Sequence, residues 1–328
     1  MSVQQAVKPY DFVKFPLEKP KLNKPTTHDR YQPEQNYYHG VLELKLTAEK
    51  PIHTSTGVIM LGEDLGLKVP LVKPMPKSKD KRLIIQGSSL KGCIRSIYEA
   101  ITNSTLAVIK DKNYPLEDRK PCKDKNKLCP ASRVFGAMNW QSLLRFTDAE
   151  CESDKIELGF IPSLYTPKYD SRKKPIGRKF YYHFSEVGTS TRGVSVQQAV
   201  QRSLFKSKIY FLNLKTEELG TLLISLGQHK NYPFALKIGA GKPIGMGSAK
   251  IEITAMQLYS SDAVKYRYTS YQDDSNPTLQ GDKLIQKIEE LTNFALSQSS
   301  SYVLKEQLQQ LAEILQYPTN RKPPQGVY

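Results

Sequence analysis

Residues 238–251 read Ile238-Gly-Ala-Gly-Lys-Pro-Ile-Gly-Met-Gly-Ser-Ala-Lys-Ile251, a glycine-rich loop between two apolar segments of the kind that form strands. Glycine in an ordered segment costs roughly 0.5–1 kcal/mol relative to alanine. Four glycines in this loop therefore indicate a backbone that turns through positive φ or approaches a ligand closely. Lys242 and Lys250 place positive charge beside the loop amides. This combination favours an anionic ligand.

Two nucleotide-binding motifs do not fit this loop. A P-loop needs Gly, four further residues and then Gly-Lys-Ser/Thr, but Leu236 stands at the place of the first glycine and Pro243 follows Lys242. A dinucleotide-binding loop needs Gly-x-Gly-x-x-Gly before a helix. Here the third glycine, Gly245, comes one residue late, and a strand pattern follows. A glycine-rich hairpin without a ligand stays open as the alternative.

The composition indicates a polyanionic partner. The chain has 328 residues, 39% of them apolar, which is enough for a hydrophobic core in one large or two small domains. Lys and Arg number 48 against 32 Asp and Glu, for a formal net charge of +16. Such an excess is typical of proteins that bind nucleic acid, with an acidic membrane surface as the alternative anion.

The sequence predicts a cytoplasmic protein. No apolar run approaches the ~18 residues of a membrane-spanning helix, and the N-terminal residues lack the apolar segment of a signal peptide. Four cysteines in so long a chain do not predict a disulfide scaffold. Cys122 and Cys129 have no neighbouring His or third Cys, so a zinc site is not predicted either.

The predicted secondary structure has the order of a ferredoxin-like domain. Apolar alternation predicts strands over 40–47, 82–86, 143–149, 208–214, 234–238 and 250–256. Helical periodicity predicts one helix after Gly87 and another from Thr216. Strand, helix, strand, repeated twice, is the split βαβ pattern, so the fold class is α+β, ferredoxin-like (RRM-like).

We divide the chain into three parts. Residues 1–36, rich in Pro, Lys and Gln, predict an extended N-terminal arm. Residues 37–261 form the ferredoxin-like domain, and 262–328 a C-terminal extension with helices over about 280–296 and 302–316. Segments without clear periodicity predict large insertions in the domain at about 50–82, 104–130 and 160–205.

The first predicted helix carries a second group of cations. Ser88 or Ser89 can cap its first turn. Lys91 and Arg95, at positions i and i+4, share a face near that end, where the free amides and the helix dipole favour a phosphate. The alternative is that Arg95 only pairs with Glu99 on a solvated face.

The segment 160–205 interleaves cations with aromatic rings, among them Tyr169, Arg178 and Lys179. A solvated charge run does not need the rings, and a core segment does not tolerate the charges. Single-stranded nucleic acid uses both, since cations pair with its backbone and rings stack on its bases at ~1–3 kcal/mol per base. The segment therefore predicts contact with RNA or single-stranded DNA.

Several motifs follow one another in a fixed order along the chain. They are the strand and turn over Leu44–Gly57, the helix start Gln86-Gly-Ser-Ser-Leu-Lys-Gly-Cys-Ile-Arg95, the segment Cys129-Pro-Ala-Ser-Arg-Val-Phe-Gly136, the segment Phe146-Thr-Asp-Ala149 and the glycine loop. Their conjunction resembles the RAMP superfamily of CRISPR–Cas proteins, specifically the crRNA-binding backbone subunits of type III effector complexes. Pro9–Val13 and Gly177–His183 look like a branch found in type III-D loci. The resemblance covers most of 9–256 and does not reach the C-terminal helices.

The resemblance implies a set of RNA contacts and partners. The helix start and the glycine loop would hold the guide backbone, and a thumb at 160–205 would reach into the guide–target duplex. The residues expected to contact RNA are Ser88, Ser89, Lys91, Arg95, Arg133, Tyr169, Arg178, Lys179, Gly239, Gly241, Lys242, Gly245 and Gly247. The implied partners are crRNA, target RNA, other RAMP subunits and the large subunit of the complex.

The resemblance leaves catalysis open. Active backbone subunits cut target RNA with an aspartate on the loop after the first strand, assisted by a divalent ion such as Mg²⁺. Asp64 is the nearest candidate, with Glu63 and Asp80 behind it. This chain departs from the family at Ser132, where a cysteine is usual, which argues further against zinc.

Three functional hypotheses follow. The first is a backbone subunit of a type III interference complex that binds crRNA and contacts target RNA. The second is a stand-alone RAMP endoribonuclease that processes CRISPR repeat RNA with His53 as general base, although a lone His at a strand end also fits a structural role. The third is a basic RNA-binding protein outside CRISPR, against which the missing RNP1-like aromatic octamer of an ordinary RRM counts.

Overall fold

The structure is a computed structural model, and it describes residues 8–29, 37–109, 116–153, 155–163, 175–189, 192–259, 269, 278–297 and 302–324. The strands in these ranges are β1 (Tyr10–Lys14), β2 (Tyr38–Ala48), β3 (Met60–Leu61), β4 (Leu71–Lys73), β5 (Ile84–Ile85), β6 (Leu144–Phe146), β7 (Ala149–Cys151), β8 (Ile156–Pro162), β9 (Gly177–Tyr181), β10 (Gly193–Ala199), β11 (Leu204–Leu214), β12 (Leu236–Lys237), β13 (Ser248–Tyr259) and β14 (Thr278–Leu279). The helices are α1 (Gly87–Ile101), α2 (Pro130–Phe135), α3 (Thr216–Ser225), α4 (Gly281–Leu296) and α5 (Lys305–Ile314).

An antiparallel sheet lies at the centre of the fold, with β2 between β13 and β11 and with β6 and β7 on the far side of β11. Along the chain, α1 lies between β2 and the pair β6 and β7, and α3 lies between β11 and β13. Leu44 of β2, Ile94 of α1 and Leu222 of α3 belong to one buried apolar cluster, so both helices cover the sheet. The predicted α+β ferredoxin-like fold with large insertions is confirmed.

The segment 143–149, which the sequence predicted as one strand of this sheet, is broken in the structure. It forms β6 and β7, which both pair with β11 and are separated by Thr147 and Asp148. The break leaves the Asp148 side chain free to turn toward α1. A single strand was therefore the wrong prediction at this place.

The predicted cap of α1 by Ser88 or Ser89 was wrong. The helix begins at Gly87, and its amide donates a hydrogen bond to Asp148 Oδ1 at 2.7 Å. Ser88 and Ser89 lie inside the first turn and do not cap it. A carboxylate satisfies a free amide and also complements the positive end of the helix dipole, which a local hydroxyl does only in part.

The strands outside the central sheet form two smaller sheets. One has the strand order β3-β4-β10-β8, and the other consists of β1 and β9. In the second sheet Tyr10 lies opposite Tyr181 and Lys14 opposite Gly177. The described part of the N-terminal arm is thus extended chain that lies on the body of the protein.

The C-terminal helices lie on the helical layer. Helix α4 packs against α3 so closely that a Cβ at Gly220 would lie 2.1 Å from the carbonyl oxygen of Leu291. Helix α5 packs against α1 and β1. In the segment just before α5, the Tyr302 hydroxyl accepts a hydrogen bond from the Tyr98 hydroxyl of α1, at 3.1 Å. The sequence left open what these helices contact. The division into 1–36, 37–261 and 262–328 stays a prediction.

We expect α4 to contribute to the stability of the whole domain. Leu291 is fully buried, at 0% exposure, whereas Ile285 on the same helix is 55% exposed. Leu291→Ala should lower the free energy of unfolding by roughly 2–5 kcal/mol. Ile285→Ala should change it by less than about 0.5 kcal/mol in the same denaturant titration. Equal effects of the two substitutions would show that α4 is not packed as described.

Candidate nucleic-acid interface

The structure places the glycine loop beside α1. The thiol of Cys93 on α1 donates a hydrogen bond to the carbonyl oxygen of Lys237, at 3.5 Å. Burial raises the pKa of the Cys93 thiol, and the nearby Lys242 ammonium opposes that rise. The two segments that the sequence predicted to hold an RNA backbone are therefore neighbours in space.

The loop needs glycine for two separate reasons. Gly239, Gly241, Gly245 and Gly247 all have positive φ, between 68° and 106°. At Gly239 a Cβ would also lie 2.2 Å from the carbonyl oxygen of His53. The prediction of positive φ is confirmed, and the close approach is to the protein's own backbone.

Much of the loop is engaged within the protein. The amides of Ala240 and Gly247 donate to carbonyl oxygens just after β2, at 2.9 and 2.8 Å. Gly241, Gly245 and Gly247 are buried, whereas Gly239, Ala240 and Lys242 reach the surface. The amides of Gly239 and Lys242 form no hydrogen bond with another described residue. An anion at the loop would therefore meet these two amides and the Lys242 side chain.

Three lysines gather around this loop. Lys237 is 5% exposed, and its pKa is lowered to about 7, first by burial and then by Lys242 and Lys50. Lys50 donates to the carbonyl oxygen of Ser185 at 2.5 Å. No carboxylate in the described ranges forms an ion pair with any of the three. The corner thus holds positive charge without a matching negative charge.

A hydrogen-bond chain fixes the Lys237 side chain. Its ammonium donates to Ser248 Oγ at 3.2 Å, and Ser248 Oγ lies 2.7 Å from His183 Nδ1. His183 Nε2 lies 3.0 Å from the carbonyl oxygen of Ala235, which can only accept, so Nε2 carries the proton and Nδ1 accepts from Ser248. Burial lowers the pKa of His183 to about 3, so its ring is neutral and supplies no counter-charge.

Arg95 pairs with Glu99, as the alternative for this helix held, but in the interior and not on a solvated face. Its Nε lies 2.8 Å from the Glu99 carboxylate, which is 5% exposed. Arg178 of β9 binds the same carboxylate, and burial with the neighbouring Arg95 lowers its pKa to about 10. Two guanidinium groups thus share one acid. Lys91, one turn earlier on α1, has its pKa lowered by burial and by Arg95.

The face of the central sheet that α1 and α3 do not cover carries balanced charges. Its lysines alternate along β2 and β11 with buried apolar residues. They form the ion pairs Lys45–Glu252 at 3.4 Å, Lys206–Glu152 at 2.6 Å and Lys208–Glu43 at 2.6 Å. A groove of about 1010 Å³ lies on this face, where Arg145 stacks over the Tyr210 ring at 4.4 Å. Because these lysines are already neutralised, the unpaired charge at the glycine loop is the better site for a polyanion.

A sequence model of the RAMP superfamily matches residues 45–250, from within β2 to the start of β13. The chain belongs to the RAMP superfamily. The match includes α1, the inserted segments and the glycine loop, and it makes the chain a CRISPR-associated, RNA-binding protein. No curated protein shows a significant match to the chain.

Arg133, Lys179 and Tyr169 are three further residues that were expected to contact RNA in this RAMP protein. Arg133 is 8% exposed, pairs with Glu218 at 3.5 Å and donates to the Tyr302 hydroxyl at 3.2 Å. Its guanidinium therefore links α2 to α3 and is not available at the surface. Lys179 lies over the rings of Tyr10 and Tyr181, at 4.6 and 4.8 Å. Tyr169 lies outside the described residues.

Asp64, Ser88 and Ser89, which were also named as candidate site residues, are all at least partly exposed to solvent. Ser88 is exposed and Ser89 half-buried at the start of α1. Asp64 is exposed in the 3₁₀ turn Glu63–Leu65, between β3 and β4. The described part of the chain contains no group of three or more His, Cys, Asp or Glu that could hold a metal ion.

His53 is buried beneath the glycine loop. It is 1% exposed, and its Nδ1 donates to the carbonyl oxygen of Gln197 at 2.7 Å. Its Nε2 is buried and has no hydrogen-bond partner among the described residues, and burial lowers the pKa of the ring. A general base must reach the proton that it removes, and this ring has no access to solvent. Its placement fits a structural role.

Sequence reasoning missed Lys50 and Lys237 as parts of this site. Lys237 lies in a segment whose apolar neighbours gave no sign that a lysine could be buried there. Lys50 precedes Pro51 at the end of β2, where it read as an ordinary surface residue. The packing of the loop onto the segment after β2 brings Lys50 near Lys242, and the same packing buries Lys237.

Lys237→Met should stabilise the fold in a pH-dependent way. The buried ammonium destabilises the folded state fully below its folded pKa of about 7. The penalty is relieved as the pH rises toward about 10, where the unfolded chain also loses the proton. The variant should therefore melt roughly 5 °C or more above the wild type near pH 6, with a gain that shrinks toward pH 9.

The matched control is Lys250→Met, which removes an exposed lysine two residues after Ser248. Thermal melts of this variant should follow the wild type at every pH. A gain for Lys237→Met that does not change with pH would mean that Lys237 is not a buried, uncompensated charge.

Proposed function

We propose that this RAMP protein is a backbone subunit of a type III CRISPR–Cas interference complex, of the III-D kind, that binds crRNA and contacts complementary target RNA. The observation that carries the proposal is the group of unpaired cations around the glycine loop, together with Lys91 on the neighbouring helix α1. Lys50, Lys91, Lys237 and Lys242 have no acidic partner among the described residues. A phosphodiester backbone would supply the missing negative charge.

The groups at this corner suit a backbone and not a base. Lysine ammonium groups and the amides of Gly239 and Lys242 bind phosphate oxygens, and such contacts carry no sequence information. A subunit that holds guides of many sequences needs this kind of contact. The corner therefore supports guide binding better than recognition of one RNA sequence.

The inserted segments are proposed to contact the target. Segment 160–205 stands between the two halves of the domain, and its described strand β9 carries Lys179 between the rings of Tyr10 and Tyr181. Rings and cations together suit a nucleic acid whose bases are accessible. Tyr169, in the part that is not described, belongs to the same proposal.

The proposed partners are crRNA, target RNA, other RAMP subunits and the large subunit of the complex. No helix in the described ranges is long and apolar enough to cross a bilayer. We propose a cytoplasmic location, where such a ribonucleoprotein would meet foreign RNA.

A second proposal is that the assembled complex cleaves target RNA, with Asp64 as the catalytic residue. Mg²⁺ is often held by one or two carboxylates together with substrate phosphates. Glu63 and Asp64 are adjacent acidic residues on an exposed turn, which suits such shared binding. The ion would polarise the scissile phosphate and offset the charge that develops on it.

RNA binding should depend on salt through Lys91 and Lys242. For single-stranded RNA the logarithm of the affinity falls with the logarithm of salt concentration by about 0.7 for each phosphate that is neutralised. Lys91→Ala with Lys242→Ala should therefore weaken binding and reduce the slope by about 1.4 if each lysine meets one phosphate. Fluorescence anisotropy over a salt series measures both quantities.

The matched control removes the same net charge from the opposite face. Lys45→Ala with Lys206→Ala breaks two ion pairs there and should leave the slope unchanged. If both double variants reduce the slope alike, the protein binds RNA through its overall charge and not through this corner.

Asp64→Ala tests cleavage within the assembled complex. If Asp64 is catalytic, mapping of target RNA fragments should show loss of the cut made at this subunit, while crRNA content stays the same. An unaltered pattern of fragments would remove Asp64 from the active site.

A separate assay tests the stand-alone nuclease. The purified chain should not process repeat RNA, because His53 is buried at 1% exposure. Cleavage of repeat RNA by the isolated chain that His53→Ala abolishes would contradict the proposed role and favour the endoribonuclease.

A further inference from the structure

Lys237 is a buried ammonium for which the described residues supply no counter-charge. A charged amine removed from water is unfavourable unless an anion or several hydrogen bonds compensate for it. Here one hydrogen bond is visible, from Nζ to Ser248 Oγ at 3.2 Å, and the side chain is 5% exposed. The site therefore holds an amine that readily loses its proton.

Every element packed around Lys237 adds positive charge or none. Lys242 comes from the glycine loop and Lys50 from the segment after β2, and both disfavour the charged form of Lys237. The Phe184 ring lies 6.0 Å from Nζ and offers only weak compensation. His183, reached through Ser248, is neutral.

The remaining neighbour is Cys93 of α1, which contacts the Lys237 backbone. Burial raises the pKa of its thiol, so it stays protonated and uncharged near neutral pH. Glu49 after β2 and Glu186 after β9 are the acidic residues nearest in the chain to these contacts, and neither is among the charges that shift the pKa of the amine. No ion pair joins Lys237 to a carboxylate within the described ranges. A bound anion would supply the counter-charge that the described residues lack.

We infer that Lys237 takes up a proton when an RNA phosphate binds beside Lys50 and Lys242, so that this corner binds RNA more tightly as the pH falls toward neutrality. The inference rests on the proposed function, because it takes an RNA phosphate as the anion. The proton comes from the buffer and forms the fourth bond of the Nζ ammonium. No covalent bond to the RNA is made.

Linkage makes the effect reciprocal. A phosphate that favours the charged form of Lys237 raises its pKa, and protonation of Lys237 must strengthen phosphate binding by the same factor. The free site has a pKa of about 7. Proton uptake should therefore be small near pH 6, where both states are charged, and should approach one proton near pH 8, where only the bound state is charged.

Isothermal titration calorimetry of the full chain measures this uptake. A single-stranded RNA oligonucleotide is titrated near pH 8 in two buffers with different ionisation enthalpies. The difference in observed heat gives the number of protons bound. We expect between about 0.5 and 1 proton, and an affinity that falls by up to about 10-fold for each pH unit above neutrality.

Two variants assign the proton to Lys237. Lys237→Met removes the amine, and Lys237→Gln keeps a donor for Ser248 Oγ. Both should bind RNA with no net proton uptake and with an affinity that varies little between about pH 7 and pH 9. Lys91, whose pKa is lowered by burial and by Arg95, is present in both variants, so proton uptake by Lys91 would persist in them and would be distinguished from uptake by Lys237.

The outcomes separate the two proposals. Salt-dependent RNA binding without proton uptake in the wild type would overturn the inference and leave the proposed function standing. Uptake that persists in both Lys237 variants would show that another group titrates, which also overturns it. No RNA binding by the chain at any pH would contradict the proposed function itself.

Discussion

The hydrogen bonds from the amides of Ala240 and Gly247 to the segment after β2 determine the shape of the candidate site. They hold the glycine loop against the carbonyl of His53 so closely that Gly239 leaves no room for a Cβ. This contact brings Lys50 close to Lys237 and Lys242, although Lys50 is far from both of them in the sequence. The loop thus packs mainly against the protein's own backbone, and only a few of its groups are exposed to a ligand.

The charge distribution distinguishes this corner from the rest of the domain. On the open face of the sheet, lysines pair with glutamates across neighbouring strands. Beneath α1, Arg95 and Arg178 share Glu99 and stabilise the packing of β9 on the helix. At the glycine loop the positive charges have no such partners. Partly buried charges of one sign destabilise a fold, and a polyanion that binds there reverses the penalty.

The fold could be predicted because local patterns and tertiary packing agree. The alternation in β2 and β11 and the apolar stripes of α1 and α3 each indicate the element that forms. The capping of α1 could not be predicted, since its first amide donates to Asp148, more than fifty residues away, and not to a neighbouring serine. The role of Arg133 escaped prediction for the same reason, and the sequence offered the pair of Arg95 with Glu99 only as an alternative on a solvated face. Their partners Glu99 and Glu218 lie in the interior, and spacing alone does not distinguish a buried pair from an exposed cation.

The positions of Lys242 and Lys91 followed from the sequence, whereas the burial of Lys237 did not. Burial of a lysine depends on what packs over it, here the segment with His183 and Phe184. A direct test of the whole account is photo-cross-linking of bound 4-thiouridine RNA followed by mass spectrometry of the peptides. We predict cross-links at the start of α1 and at 239–247. Cross-links confined to the open face of the sheet, around Arg145 and Tyr210, would contradict it.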